Sequence, residues 1–179
     1  MRQRRTSARD RSSGNTLRVL GFDPGTATTG YGVVDGSGNR LEHVSHGTIK
    51  TPAGTHFAER LNQIYDEALA LLDRFEPDAV SIEKLYFKQN VTTGISVAQA
   101  RGVLALAAIQ RGKPIGEFSP TEMKSAITGY GKAPKRQVQD MLKILLNLEA
   151  IPKPDDAADA LGLAICQIHA GTVWAATEK

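Results

Sequence analysis

Three strand-like runs follow one another within the first fifty residues, and the links between them are too short for anything but antiparallel pairing. The runs are "LRVLGFD" (17–23), "TGYGVVD" (29–35) and "RLEHVSHGTIK" (40–50), joined by "PGTAT" and by the turn "DGSGN". A parallel pair needs a crossover of roughly a dozen residues or more. After residue 50 the period changes. Phe57, Leu61, Ile64, Ala68, Leu71 and Phe75 recur at helical spacing behind Thr55, a candidate N-cap. That helix crosses over to a strand at "DAVSIEK" (78–84), followed by a long helix in "TGISVAQARGVLALAAIQRG" and a strand at "PIGEF". A capping box, "SPTE", has Ser119 as cap and Glu122 three residues on. The last two helices, "KRQVQDMLKILLNL" and "DDAADALGLAICQIHA", are separated by "EAIPKP". The expected fold is α/β: a mixed sheet of about five strands, three antiparallel and then parallel, with helices on both faces.

The chain shows no repeat and no internal linker. Its 179 residues, 41% hydrophobic, fit one domain, expected over residues 17–171 with a short tail at 172–179. The first sixteen residues carry five arginines against one acid and no apolar segment of the kind a secretory signal needs. They read as a disordered basic arm, a composition shared with organelle-type presequences. No apolar run approaches the roughly 18 residues of a membrane span. The lone cysteine, Cys166, lies in an apolar helical pattern as a small core side chain. A soluble protein of the cytoplasm, a reducing compartment, is expected.

The net charge of +3 conceals a division. Residues 17–83 hold 5 basic and 10 acidic side chains, residues 84–136 hold 9 and 2, and residues 137–179 hold 3 and 6. An acidic, basic, acidic order suggests a face for a polyanion beside a separate cluster of carboxylates.

Asp23 ends the first strand and Glu83 ends the strand after the crossover helix. If those strands are parallel neighbours, both acids reach the carboxyl edge of the sheet, where open α/β sheets place their sites. Singly, Asp23 before Pro24 and Gly25 could serve only to start a turn, and Glu83 could be a solvated strand end. Asp156 and Asp159, three apart, share one face of the last helix. Asp155, next to Pro154, suits the positive end of the helix dipole. Asp159, between "AA" and "ALGLA", lies at the margin of a core, where an unpaired charge is costly. Four such acids together would repel, and two divalent cations about 3.5–4 Å apart would relieve them. Oxygen ligands suit Mg²⁺ or Mn²⁺, and no His/Cys spacing suggests zinc. His43, His46, His56 and His169 are scattered along the chain and read as structural or solvated. Such a metal pair suits phosphodiester hydrolysis.

The segment "EKLYFKQNVTTG" places Tyr86 and Phe87 between Lys84 and Lys88 directly after Glu83. In a core strand these rings would be packing; in a loop they can stack on an unpaired base. "GYGKAPKRQ" adds Lys132, Lys135 and Arg136 at a helix start, with Lys124 one helix earlier, a pattern that binds phosphate without reading sequence or is simply a solvated charged loop. The helix from 94 to 111 is apolar on two faces, Ile95, Ala98, Gly102 and Leu106 on one and Val97, Leu104 and Ala108 on the other, which suggests a two-fold dimer.

Together "GFDPGTATTGYGV", "IEKLYFKQN", "AQARGV", "GYGKAPKRQVQ" and "DDAADALGLAI" resemble the RuvC family of Holliday junction resolvases, over essentially all of residues 17–170. The resemblance implies a ribonuclease H-like fold, with Asp23, Glu83, Asp156 and Asp159 as the catalytic and metal-binding acids, Tyr86 as the junction-facing aromatic with Phe87 beside it, and Lys124 and Lys135 as DNA-binding lysines. It implies a homodimer that cuts two opposed strands of a four-way DNA junction, working with the RuvA/RuvB branch-migration complex in a bacterial cytoplasm, at the nucleoid when on DNA. Two features depart from the family: the basic arm, and Tyr86 where phenylalanine is common. Three other readings differ in class. Actin-like ATPases and sugar kinases carry a similar Gly-x-Asp-x-Gly-Thr turn, although they need a second, duplicated domain for which this chain has no room. A junction-binding protein that does not cut would need no acid cluster, and a nuclease of the same fold could act on RNA or on RNA:DNA hybrids.

Overall fold

The computed structural model describes residues 16–85 and 91–177, with side chains described from 94 to 171 in the second stretch. The expected arm before Thr16, and Tyr86, Phe87 and Lys88, lie outside the described residues. Strands β1 (Leu17–Asp23), β2 (Thr28–Ser37) and β3 (Arg40–Lys50) form the antiparallel meander. Helix α1 (Phe57–Phe75) crosses to β4 (Ala79–Glu83), and α2 (Val91–Gln110) crosses to β5 (Ile115–Phe118). Helices α3 (Pro120–Thr128), α4 (Lys135–Leu145) and α5 (Asp155–Thr177) complete the chain. The sheet order is β3-β2-β1-β4-β5, with β1, β4 and β5 parallel, as expected. Helix α5 continues to Thr177, into the segment expected to be a tail.

Both faces of the sheet are covered, so β1 and β4 read as continuous apolar runs rather than alternating ones. Alternate residues nevertheless serve different cores. Leu20, Phe22, Val33, Val80 and Ile82 pack with Ile64, Ala68 and Leu72 of α1 and Leu104 of α2. Val19, Val34 and Ala79 pack on the opposite side with Leu161, Ala164 and Ile165 of α5 and with Met123, Val138 and Leu142 of α3 and α4. Asp23 follows Val19 and Gly21 in parity, and Glu83 follows Ala79 and Ser81, so both acids belong to the α5 face.

Helix α5 lies directly on that face because β1 and β2 offer it glycines. A Cβ at Gly21 would fall on the carbonyl oxygen of Ala160, one at Gly30 on that of Asp156, and one at Gly32 would meet the Leu161 nitrogen at 2.6 Å. The contacts set the axial position of the helix, with its first turn over Gly30 at the site edge and Ile168 over Gly36.

Two local expectations are corrected. The N-cap of α1 is His56, whose Nδ1 accepts from the Ala58 N–H at 3.4 Å, rather than Thr55. His43 and His46 are not scattered, because a bulge between Val33 and Val34 lets residues three apart share a face, and their rings meet with Nε2 and Nδ1 2.8 Å apart. The capping box is present in full, Glu122 N–H donating to Ser119 Oγ at 3.1 Å and Ser119 N–H to Glu122 Oε2 at 2.7 Å.

Gly32→Ala should push α5 off the sheet. Overpacking at such a contact costs about 1–3 kcal/mol, and thermal unfolding should show Tm lower by about 2–12 °C. An unchanged Tm would mean that the helix shifts freely and that the glycines do not set its position.

Candidate functional site

The parallel register of β1 and β4 sets Phe22 opposite Ile82, so the next residues, Asp23 and Glu83, leave the sheet side by side. The loop that takes the chain away from Asp23 is braced at three points. Thr29, fully buried, donates its hydroxyl to Gly25 O at 2.7 Å; Thr51 donates its hydroxyl to Thr26 O; and Arg60 of α1 donates Nε–H to Thr51 Oγ1 at 2.7 Å. Sequence reasoning missed this brace. Its visible trace is the run of threonines after Pro24 and Gly25, which reads locally as turn chemistry; Thr51 and Arg60 join it only through the fold.

Helix α5 brings Asp156 and Asp159 to the same edge through its contact with Gly30 and Gly21. Asp23 shows what the convergence costs. Burial, then a side-chain hydrogen bond with Glu83, then the charges of Glu83, Asp159 and Asp156 push its pKa from 3.8 up to about 9. Burial likewise pushes Asp159 up to about 6, against the pull of the Lys135 ammonium. Among the described residues, no three His, Cys, Asp or Glu side chains are gathered tightly enough to hold an ion between them. The sheet joins one carboxyl pair, Asp23 with Glu83, and α5 supplies two more acids close enough to be felt. This donor set fits a hard divalent cation, because it is all carboxylate oxygen and because a cation would relieve the mutual repulsion that raises the Asp23 pKa.

A pocket beside the acids is lined by Glu83, Asp159, Lys124 and Lys135, with Pro120, Met123, Val138 and Leu163 as its apolar lining. Two of the basic residues singled out in sequence therefore stand against the carboxylates. Lys135 is also tied down, its Nζ 2.9 Å from Asp155 Oδ2, while Gln139 Nε2 donates to Asp155 Oδ1 at 2.7 Å. The Asp155 contact first, then the charges of Asp159, Asp155 and Asp156, hold the Lys135 pKa above its usual value. Asp155 thus does more than offset the helix dipole. Lys132 is exposed on the loop before α4, and exposed Arg136 pairs with Asp140 one turn on, Nε to Oδ2 3.1 Å. Lys84 turns to Glu122, 3.2 Å away. Cys166 is buried in the core, which pushes its thiol up to about 12.

A family model described as "Crossover junction endodeoxyribonuclease RuvC" matches residues 19–167. A protein of that description from Thermotoga maritima is 51% identical over 151 residues, 84% of this chain and 90% of its own. One from Brevibacillus brevis is 52% identical over 149 residues, 83% and 90% of the two chains. The structure of T. thermophilus RuvC in complex with Holliday junction substrate superposes with a TM-score of 0.83 at 31% identity, covering 88% of this chain and 96% of that one. The yeast mitochondrial Holliday junction resolvase, at 16% identity and a TM-score of 0.61, shares the fold.

The raised pKa values of Asp23 and Asp159 imply a stability that depends on pH. Asp23 and Asp159 retain protons in the fold that they release on unfolding, above 3.8 and up to about 9 and about 6 respectively. Their contribution is therefore present at low pH and lost as pH rises, by at most about 1.4 kcal/mol per pH unit for each group. Without divalent cations, Asp23→Asn should gain on the wild type in Tm between pH 6 and pH 8 and be the more stable at pH 8. Parallel Tm curves for the two proteins would show that the Asp23 carboxyl is already ionised in the fold.

Proposed function

The chain belongs to the RuvC family of crossover junction endodeoxyribonucleases; it is a metal-dependent nuclease that resolves Holliday junctions, and we propose that Asp23, Glu83, Asp156 and Asp159 are its catalytic carboxylates. One observation carries this reading: β1 and β4 end in register, so Asp23 stands against Glu83 at the sheet edge that the first turns of α5 also reach. Clustered, buried acids with strongly raised pKa values cost stability and are characteristic of functional sites.

The four carboxylates are the proposed ligands of two Mg²⁺ ions, for which Mn²⁺ can substitute. When bound, these ions supply the positive charge that activates water and stabilises the in-line phosphoryl transition state. The protein's part is placement. β1 and β4 fix Asp23 and Glu83 through the register, and the α5 backbone contact fixes Asp156 and Asp159. Lys124 and Lys135, on the pocket wall, hold the scissile strand by its phosphates, with the exposed Lys132 and Arg136 outside the pocket as further phosphate contacts. Tyr86, Phe87 and Lys88, which follow Glu83 in the chain, are proposed to hold the opened junction by stacking and charge.

Dimerisation supports cutting on two opposed strands. On α2, Leu104 and Ala108 are fully buried, whereas Ile95 and Leu106 are 51% exposed and Ile109 is 62% exposed. Gly102, on the same stripe, faces open space. The proposed occupant is the same stripe of a second copy, a self-complementary contact suited to a two-fold axis. By the family resemblance the dimer works with the RuvA/RuvB branch-migration complex, in the cytoplasm and at the nucleoid when on DNA. Among the described residues no helix is long and apolar enough to cross a membrane.

Cleavage is measured on labelled four-way junction, duplex and RNA:DNA hybrid, with and without Mg²⁺. Asp23→Asn, Glu83→Gln and Asp159→Asn should each stop junction cutting and leave junction binding intact; loss of binding would reassign these groups. Lys124→Ala and Lys135→Ala should each weaken binding and reduce the slope of log K against log salt by about 0.9, whereas an unchanged slope would return them to the solvated surface. For the dimer, Leu106→Glu combined with Ile109→Glu should halve the mass seen by sedimentation. A double variant that sediments as the wild type does would remove α2 from the interface.

A further inference from the structure

Glu83 is the last residue of its strand, and its backbone carbonyl has no donor in the sheet. Val80 N–H donates to Pro114 O at 2.9 Å and Lys84 N–H donates to Phe118 O at 2.9 Å, so the even residues of β4 turn their peptide groups toward β5. The odd ones, Ser81 and Glu83, turn toward β1. In the parallel ladder the donor due to Glu83 O comes from the residue after Asp23. That residue is Pro24, which has no N–H. Arg101 of α2 fills the gap, donating Nε–H to Glu83 O at 3.3 Å. The same guanidinium donates through Nη2 to Glu117 on β5, the residue opposite Ile82. Its side chain is only 23% exposed. Ala100 and Leu104, its neighbours on α2, are fully buried in the α1/α2 core, so Arg101 reaches the strand end from the face opposite α5. The carboxylate of Glu83 is thus presented on one face while its peptide is gripped from the other.

We propose that Arg101 is a positioning residue for Glu83. It replaces the ladder bond that Pro24 cannot make, and Glu117 aims it. A backbone carbonyl left without a donor and away from water is costly, and a strand end that turned to find one here would swing the Glu83 carboxylate away from Asp23. The proline that turns the chain away from the first acid therefore creates the need for an arginine behind the second. This inference rests on Glu83 being a metal ligand.

The test reads Mn²⁺ binding to the DNA-free dimer by electron paramagnetic resonance, alongside junction affinity and single-turnover cleavage. Arg101→Gln should weaken Mn²⁺ binding by about tenfold, as removal of a ligand's support commonly does. It should raise the Mn²⁺ concentration for half-maximal cutting to match and change junction affinity less than about twofold. Arg101→Lys, which keeps charge and a donor but loses the fork, should recover part of both. Glu117→Gln, at a half-exposed position where folding is safe, should shift Mn²⁺ binding in the same direction by a smaller factor. Unchanged Mn²⁺ binding in Arg101→Gln and Glu117→Gln would overturn the proposal, as would a loss confined to junction affinity, which would make Arg101 a phosphate contact. Glu83→Gln run beside them separates the two levels. If it leaves Mn²⁺ binding intact, the ligand role of Glu83 falls; if it weakens binding while Arg101→Gln does not, only the positioning role falls.

Discussion

Two carboxyl groups, Asp23 and Glu83, are held against each other at the ends of parallel strands, and much of the surrounding structure is explained by the force needed to keep them there. Burial and mutual charge raise the Asp23 pKa to about 9, an arrangement an unconstrained strand end would relax by turning one side chain to water. It does not relax, because the strand register fixes both Cα positions and the loop after Asp23 is tied by Thr29, Thr51 and Arg60. The brace and the register act on backbone rather than on side chains. The carboxylates are left free to choose partners while their origins stay fixed.

The other two acids arrive by a different route. Asp156 and Asp159 depend on where α5 sits along its axis, and that is set by glycines on strands more than a hundred residues away in sequence. Gly21, Gly30 and Gly32 remove the layer of side chains that normally separates a helix from a sheet, so backbone rests on backbone and the helix cannot slide by a turn without a clash. A slide of one turn, about 5.4 Å, would carry Asp159 out of range of Asp23. Precision at the site is therefore bought by giving up side-chain packing in the middle of the sheet, and the deficit is met by the two apolar clusters on either side.

The order of elements was legible in the sequence because short links and a change of hydrophobic period leave few topologies, and the meander, the crossovers and the Ser119–Glu122 box all follow from local rules. The acids were legible because Asp159 contradicts its apolar surroundings. The supports were not. Thr51 and Arg60 look like ordinary loop and helix residues until the chain folds back on itself, and Gly30 reads as a weak point in a strand rather than as the seat of a helix. His43 and His46, three apart on a strand, should point to opposite faces, and only the bulge at Val33/Val34 brings them together. Each omission concerns a contact between residues distant in sequence or a register fault, neither of which leaves a periodic trace.

The division of charge along the chain also acquires a physical meaning in the fold. The acidic first segment supplies Asp23 and Glu83, the acidic last segment supplies Asp156 and Asp159, and the basic middle segment folds between them so that Lys124 and Lys135 line the same pocket as Glu83 and Asp159. Were Lys135 merely a phosphate anchor, an exposed position clear of the acids would serve. Its ammonium instead rests on Asp155, one residue from a proposed ligand, where it lowers the Asp159 pKa while remaining within reach of a strand entering the pocket. Exposed ion pairs of this kind contribute about 0–1 kcal/mol, weak enough for a phosphate to displace. The lysine thus offsets acid repulsion in the structure; on the proposed reading it is released to the DNA backbone as cations take over the neutralisation of the carboxylates.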